Sequence, residues 1–411
     1  MALDDLKAGA QARLDAQGGL PTRRDEYWRY TDPRALLADE VPPAPLPPKD
    51  AEPPLFSTRD RFVMVFTDGV FDAEASDLTG AEGIEIAPLS AAPDWVAGFV
   101  GTLEAEGQKP VGRPLAALNG IRADEGAAIR VTGRIARPLH ILYRRNSEAC
   151  EVFLRHVVKL DPGAEVTILE TGLPGARANT VMEIDLPKAA RFHHIRAQGP
   201  GRQRLVATAI FARIGEAALF KSFTLAANGT LTRNEAVLDI QGDDAVAHVA
   251  GAALGDAATG NFHHDDTVFV THAAERCESR QVFKKVLKNG AVGVFQGKIL
   301  VKPGAQKTDG YQISQALLLD ENSQFLGKPE LEIYADDVKC SHGSTTGAID
   351  PTALFYLRSR GVPEDAAVAM LVLSFLADAI DEIEDDDLKS EIVTRLEDWL
   401  NRHPAAPHRK G

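Results

Sequence analysis

The sequence predicts a mainly β protein whose long strand-built middle lies between helical ends, and three observations lead there. After about Gly126, short alternating segments recur with Gly, Pro or Asp punctuation as far as Leu319. From Asp350 onward, apolar residues take helical spacing instead. Aromatic residues are only 6% of the 411-residue chain against 44% apolar in all, so the core is built from Val, Ile, Leu and Ala. A sandwich, a barrel and a stacked β-helix all fit short strands with helix-free gaps. No fixed-period repeat separates them. The uninterrupted length of the strand pattern favours a solenoid-like stack, which extends by adding rungs.

Taken in order, residues 1 to about 40 read as helical, with Leu3, Leu6 and Ala10 on one face. The segment Arg23–Tyr30 is dense in aromatic and charged groups. It suits either a docking surface or a core edge capped by rings with solvated charges. Seven prolines between Val41 and Pro54 remove backbone donors and fix φ, which makes residues 41–54 an extended linker. Phe62–Phe66 reads as a strand closed by Thr67-Asp68-Gly69, and residues 94–107 as a helix. In the C-terminal part, Asp350 is an N-cap and Pro351 sits at N1, where its missing donor costs nothing. Leu354, Phe355 and Leu357 give that helix its apolar face, and Gly361 ends it. A second helix opens at Pro363-Glu364-Asp365 and runs to Ile380; being apolar nearly all round, it is expected to be buried. The third, Asp385 to Leu400, places Leu388, Ile392, Leu396 and Leu400 on one face. The chain thus divides into a mixed region (1–125), a β core (126–348) and a helical domain (349–411) whose tail from His403 is expected to be disordered.

A net charge of −14 argues against nucleic acid or an anionic membrane as the main partner. Three cysteines, Cys150, Cys277 and Cys340, form no disulfide framework and suit a reducing compartment. Met1–Lys7 lacks the basic and apolar regions of a signal peptide, and the run Ala366–Ala377 is too short to span a bilayer. The expectation is a soluble cytoplasmic protein.

The searchable catalytic motifs are absent: there is no G-x-x-x-x-G-K-[ST], G-x-S-x-G, H-E-x-x-H or C-x-x-C. His263-His264-Asp265-Asp266 holds ligand types, but neighbours on a strand point apart, so a polar turn rim competes with a metal site. In His193-His194 the same alternation buries one ring and exposes the other. Cys277 lies among charges with no base at a useful spacing. A β-helix enzyme acting on polysaccharide would need paired carboxylates, and those of Asp265-Asp266 and Asp336-Asp337 point apart. The remaining candidate is Cys340-x-His342. It follows a strand read from Leu331 and Ile333, then an acidic turn. In an extended segment the thiol and imidazole share a face, the donor set suited to zinc or an iron–sulfur cluster. Two donors do not complete a site, and on the residues alone a packed structural pair fits as well.

Five ordered blocks shift that balance: Cys277–Gln281, Gly293–Ile299, Ala305–Gly310, Lys328–Gly343 and Leu354–Gly361. Together they resemble the SufB/SufD family of the SUF iron–sulfur cluster assembly system, over at least residues 260 to 380. Trp28-Arg29-Tyr30-Thr31 and the lack of an N-terminal cysteine cluster look like its SufD branch. The resemblance implies a right-handed parallel β-helix core flanked by helical regions, and a non-catalytic scaffold that pairs with SufB and docks the SufC ATPase. It places Cys340 and His342 as metal ligands at the SufB–SufD interface, holding a transient cluster shared with SufB; none is expected to be tightly bound in the isolated chain. The C-terminal helices, through Leu354, Phe355, Leu357 and Arg358, would receive SufC. ATP-driven closure there would rearrange the interface and expose Cys340. An exposed pairing surface would also admit a homodimer when SufB is missing.

Overall fold

The computed structural model describes residues 2–46, 54–106, 108, 111–199 and 201–403. Part of the proline-rich linker, Gly107 and the tail from Pro404 lie outside the described residues. Successive strands alternate between two facing sheets. The front sheet runs Phe62–Thr67, Leu139–Arg144, Glu165–Gly172, Arg191–Gln198, Leu219–Ala227, Val246–Asp256, Glu278–Lys288, Asp309–Leu318 and Lys339–Gly347, each parallel to the next. The back sheet runs Ala127–Val131, Glu151–Leu160, Arg177–Leu186, Leu205–Ile214, Leu231–Ile240, His263–His272, Val292–Val301 and Gln324–Ile333 in the same way. One strand from each sheet makes a turn, giving a flattened parallel β-solenoid of about eight turns.

The absence of a visible repeat has a geometric reason. The in-register partners Arg177, Leu205, Leu231, His263, Val292 and Gln324 are 28, 26, 32, 29 and 32 residues apart. Strands keep their stacking while the turns between them vary in length.

Inward-facing side chains fill the space between the sheets. Near the N-terminal end they are mainly apolar, with Ile141, Ile168, Phe192, Phe220, Met182 and Ile210 all buried. A polar thread also runs inside. Tyr143 donates to Glu170 at 2.5 Å, and Glu170 also meets His194 at 2.7 Å and Arg196 at 2.8 Å. Arg196 reaches Thr208 at 3.0 Å, Thr208 donates to Asn234 at 2.8 Å, and Lys285 closes the thread on His264 and Asp266. Burial alone would raise Glu170, yet Arg196 and His194 outweigh it and hold the carboxyl well below its ordinary range.

The helices cover the outer faces. On the back sheet lie α1 (Ala2–Ala16), α2 (Arg34–Leu37), α3 (Thr102–Glu106) and α4 (Pro114–Arg122). The expected single helical stretch to residue 40 is broken after Ala16, because Gly18 and Gly19 adopt positive φ and Pro21 follows. Gly101, also at positive φ, confines the expected 94–107 helix to α3 after a short turn at Asp94–Val96. Of the two readings of Arg23–Tyr30, the core edge holds for Trp28, which is 4% exposed with the Arg233 guanidinium 4.1 Å above its ring.

The front sheet carries α5 (Pro351–Ser359), α6 (Glu364–Ile380) and α7 (Asp386–Arg402). The Asp350 side chain accepts from the Thr352 amide at 2.8 Å, as the sequence requires of an N-cap. Asp385 caps α7 in the same way, and Leu388, Ile392, Leu396 and Leu400 are all buried. Only part of α6 is covered: Ala367, Val368, Val372, Leu376, Ala379 and Ile380 are buried, whereas Met370 is 51% exposed. No helix of the described residues is long and apolar enough to cross a membrane.

Two predictions follow from the buried polar groups. Arg155 is fully buried between Glu104 of α3 at 2.7 Å and Glu183 of the back sheet at 2.8 Å. Removing it strands two carboxylates, so Arg155→Ala lowers unfolding free energy by about 3–5 kcal/mol, read from urea denaturation. Burial also pushes the His156 and His272 imidazoles down to about 4. The unfolded rings titrate near 6.5, so the unfolded chain binds more protons as pH falls below that value. Stability present above pH 6.5 is therefore lost on acidification, by about 2 kcal/mol per ring at pH 5. Denaturation midpoints at pH 7, 6 and 5 check this, and His272→Gln should flatten the dependence.

Candidate functional site

The two ends of the solenoid differ. At the N-terminal end each sheet finishes with an antiparallel strand, Val70–Asp77 on the front and Ile84–Pro88 on the back. At the other end the last strands, Lys339–Gly347 and Gln324–Ile333, each have a neighbour on one side only among the described residues. Their outer edges leave a row of backbone donors and acceptors without a sheet partner. Side chains there are half-buried or exposed, whereas most of those on Val292–Val301 behind them are buried.

Cys340 and His342 lie on the last strand of the front sheet, at that open end. Alternation puts both on the inner face, with Cα atoms about 6.7 Å apart. Cys340 is half-buried beside Ile299, Val301 and Leu331. Its sulfur rests over Gly310 of the preceding turn, where an added Cβ would lie 3.2 Å from Sγ. Burial pushes the thiol up, with the Asp309 carboxylate adding to the effect. His342 is exposed. The pair offers a soft sulfur and a neutral nitrogen to something approaching from outside the solenoid, a donor set that fits iron or zinc. Ligation by Cys340 would release the thiol proton.

Beneath this pair lies a polar column that sequence reasoning missed. Gln281, Gln312 and His342 are in register on three successive turns, as are Ser279, Gly310 and Cys340. Gln312 Nε2 donates to Gln281 Oε1 at 2.8 Å, and Ser279 Oγ meets His272 Nε2 at 2.8 Å. Both glutamines are fully buried. Gly297 of the facing sheet is what admits them: a Cβ there would collide with the Gln312 amide. The available signal was a polar residue on an inward strand position some thirty residues apart in successive turns. The variable turn lengths conceal it. Four of the five blocks noted in the sequence meet here, through Ser279 and Gln281, Gly297, Gly310, and Cys340 with His342.

The other candidates fall elsewhere. His263–Asp266 opens a strand and is not a turn rim, and its carboxylates face opposite sides. Asp265 pairs with Arg233 on the outer face, and Asp266 with Lys285 on the inner one. Cation pairing, absent from any local pattern, is what permits that burial. His194 is buried and His193 half-buried, as alternation requires. Cys277 is buried, its Sγ near the carbonyls of Gly242 at 3.3 Å and Glu275 at 3.2 Å. Among the described residues no group of three or more His, Cys, Asp or Glu side chains is placed to hold a metal ion.

On the C-terminal helices, Leu354 is buried and Leu357 half-buried against the helix core. Phe355 is 72% exposed, Tyr356 and Met370 are about half exposed, and Arg358 pairs with Glu364 at 3.1 Å. An ion pair, Lys284 to Asp378 at 2.7 Å, and a hydrogen bond between His248 and Glu382 at 2.7 Å tie this helical layer to the front sheet.

Comparison with known proteins agrees with this geometry. Residues 143–375 match the family described as SUF system FeS cluster assembly, SufBD core domain. The iron-sulfur cluster assembly protein SufD of Escherichia coli (strain K12) is 30% identical over 92% of this chain and 89% of its own length. A Synechocystis protein described as an iron-sulfur cluster assembly SufBD family protein is 28% identical over 91% of this chain and 86% of its own length. The chloroplastic protein ABCI7 of Arabidopsis thaliana is 24% identical over 92% and 82%. With a family match over more than half of its residues and a relative 30% identical over 92% of its length, this chain belongs to the SufB/SufD family of the SUF iron–sulfur cluster assembly system.

Proposed function

We propose that this chain is a non-catalytic scaffold subunit of a SUF assembly complex, pairing with SufB through the open end of its solenoid and docking the SufC ATPase on its C-terminal helices. The observation that carries the reading is the placement of Cys340 and His342 on a strand whose outer edge and inner face are both incompletely covered. An exposed parallel edge is a template for another strand, and a partner stacking there covers the pair and supplies the donors it lacks. The iron–sulfur cluster is cargo built between the two subunits, with Cys340 as thiolate ligand and His342 as neutral nitrogen ligand.

Docking of SufC is supported by the uncovered apolar side chains Phe355 on α5 and Met370 on α6, with Arg358 one turn along α5 from Phe355. Leu354 and Leu357 hold α5 in place from below. Asp378 of α6 is ion-paired to Lys284, and Glu382 just after that helix bonds His248, both on front-sheet strands that lead to Lys339–Gly347. A force applied at the helices is thus passed to the sheet that bears Cys340.

Co-expression with SufB and SufC, followed by anaerobic iron and sulfide analysis, tests the ligand role. Cys340→Ala and His342→Ala should each abolish cluster accumulation while the three-subunit complex still co-purifies. Cluster formation at the unaltered level would show the pair to be merely packed. For the helices, Phe355→Asp should weaken SufC binding about 30-fold or more in a titration, the loss expected of a central apolar anchor, without changing SufB pairing.

A further inference from the structure

We infer that Gln312 is the positioning residue for His342, its side-chain carbonyl taking one imidazole N–H so that the other ring nitrogen faces out of the open end. The inference rests on the reading of His342 as a ligand and adds to it the group that aims it.

Gln312 is fully buried, and its amide is used unevenly. Nε2 donates to Gln281 on the turn behind, while Oε1, also buried, has no hydrogen-bond partner among the described residues. A buried carbonyl without a donor is costly, and native proteins seldom leave one in that condition. On the turn ahead the in-register residue is His342, on the same face. Directly opposite is Gly297, whose missing side chain leaves the Gln312 amide room to lie across the gap between the sheets. The column therefore ends, one turn behind His342, in a buried amide whose oxygen is unpartnered among the described residues.

That is the arrangement a histidine ligand needs. A metal-binding imidazole presents one bare nitrogen and commonly donates from the other to a fixed acceptor, which sets both tautomer and ring orientation. Among the described residues no carboxylate bonds to His342, and its in-register neighbour on the preceding turn is Gln312. When strand pairing covers the end of the solenoid, the exposed ring is confined above Gln312.

The test uses the chain co-purified with SufB and SufC and Co²⁺ as probe, followed by thiolate-to-cobalt charge-transfer and ligand-field absorption, with thermal unfolding as a control for folding. His342→Ala and Cys340→Ala should each abolish the cobalt spectrum. Gln312→Leu should weaken Co²⁺ binding about 10- to 100-fold and shift the ligand-field bands. Gln312→Glu keeps the acceptor and should restore both. A role in packing alone predicts equal loss in the Leu and Glu variants, tracking their thermal stability, and would overturn the inference. So would a Gln312→Leu variant that binds Co²⁺ as the unaltered chain does while His342→Ala does not. If His342→Ala itself binds cobalt normally, the ligand reading fails first, and the positioning role fails with it.

Discussion

A strand in a parallel stack has its backbone groups satisfied only when a neighbour lies on each side, and this constraint organises the molecule. For most of the chain it is met by the next turn, which arrives 26 to 32 residues later in register. At the N-terminal end it is met by reversing direction, with Val70–Asp77 and Ile84–Pro88 laid antiparallel as lids. At Lys339–Gly347 and Gln324–Ile333 it is left open. A repetitive β-structure needs a cap or a partner where it stops. This one stops at its only cysteine-histidine pair of strand spacing.

The same constraint explains what could be read from the sequence. Alternation is a local property, so the strands around Leu205–Ile214 and Leu231–Ile240 stand out, and caps such as Asp350 are readable within four residues. Stacking is not local. Gln281 and Gln312 touch only because one turn happens to take 31 residues, and nothing near either glutamine announces the other. His263–His272 misled for a related reason. In that strand His264 and Asp266 face inward and Asp265 outward, all of them buried, so burial leaves no polar–apolar alternation to see. Only Arg233 and Lys285, from neighbouring strands, make such a strand tolerable.

Glycine plays the complementary role in the interior. Gly310 makes room for the Cys340 sulfur and Gly297 for the Gln312 amide. In a strand, glycine weakens packing and marks a close approach, and here each approach belongs to a group near the open end. The apolar helix α6 follows comparable logic outside the solenoid. Its buried stripe packs on the front sheet and on α7, and Met370 is left half exposed among the described residues.

The open end also couples assembly to ligand chemistry. Burial keeps the Cys340 thiol up, so in the separate chain the sulfur is held in its protonated, weakly nucleophilic form. A partner that brings metal changes the balance, because a coordinated thiol is deprotonated outright. An imidazole ligand, by contrast, coordinates through a ring-nitrogen lone pair. On the proposed reading, the edge open to a second subunit and the two donors proposed for its cargo share one strand. Pairing would then cover the strand edge and complete the donor set together, because the chain alone supplies only part of each.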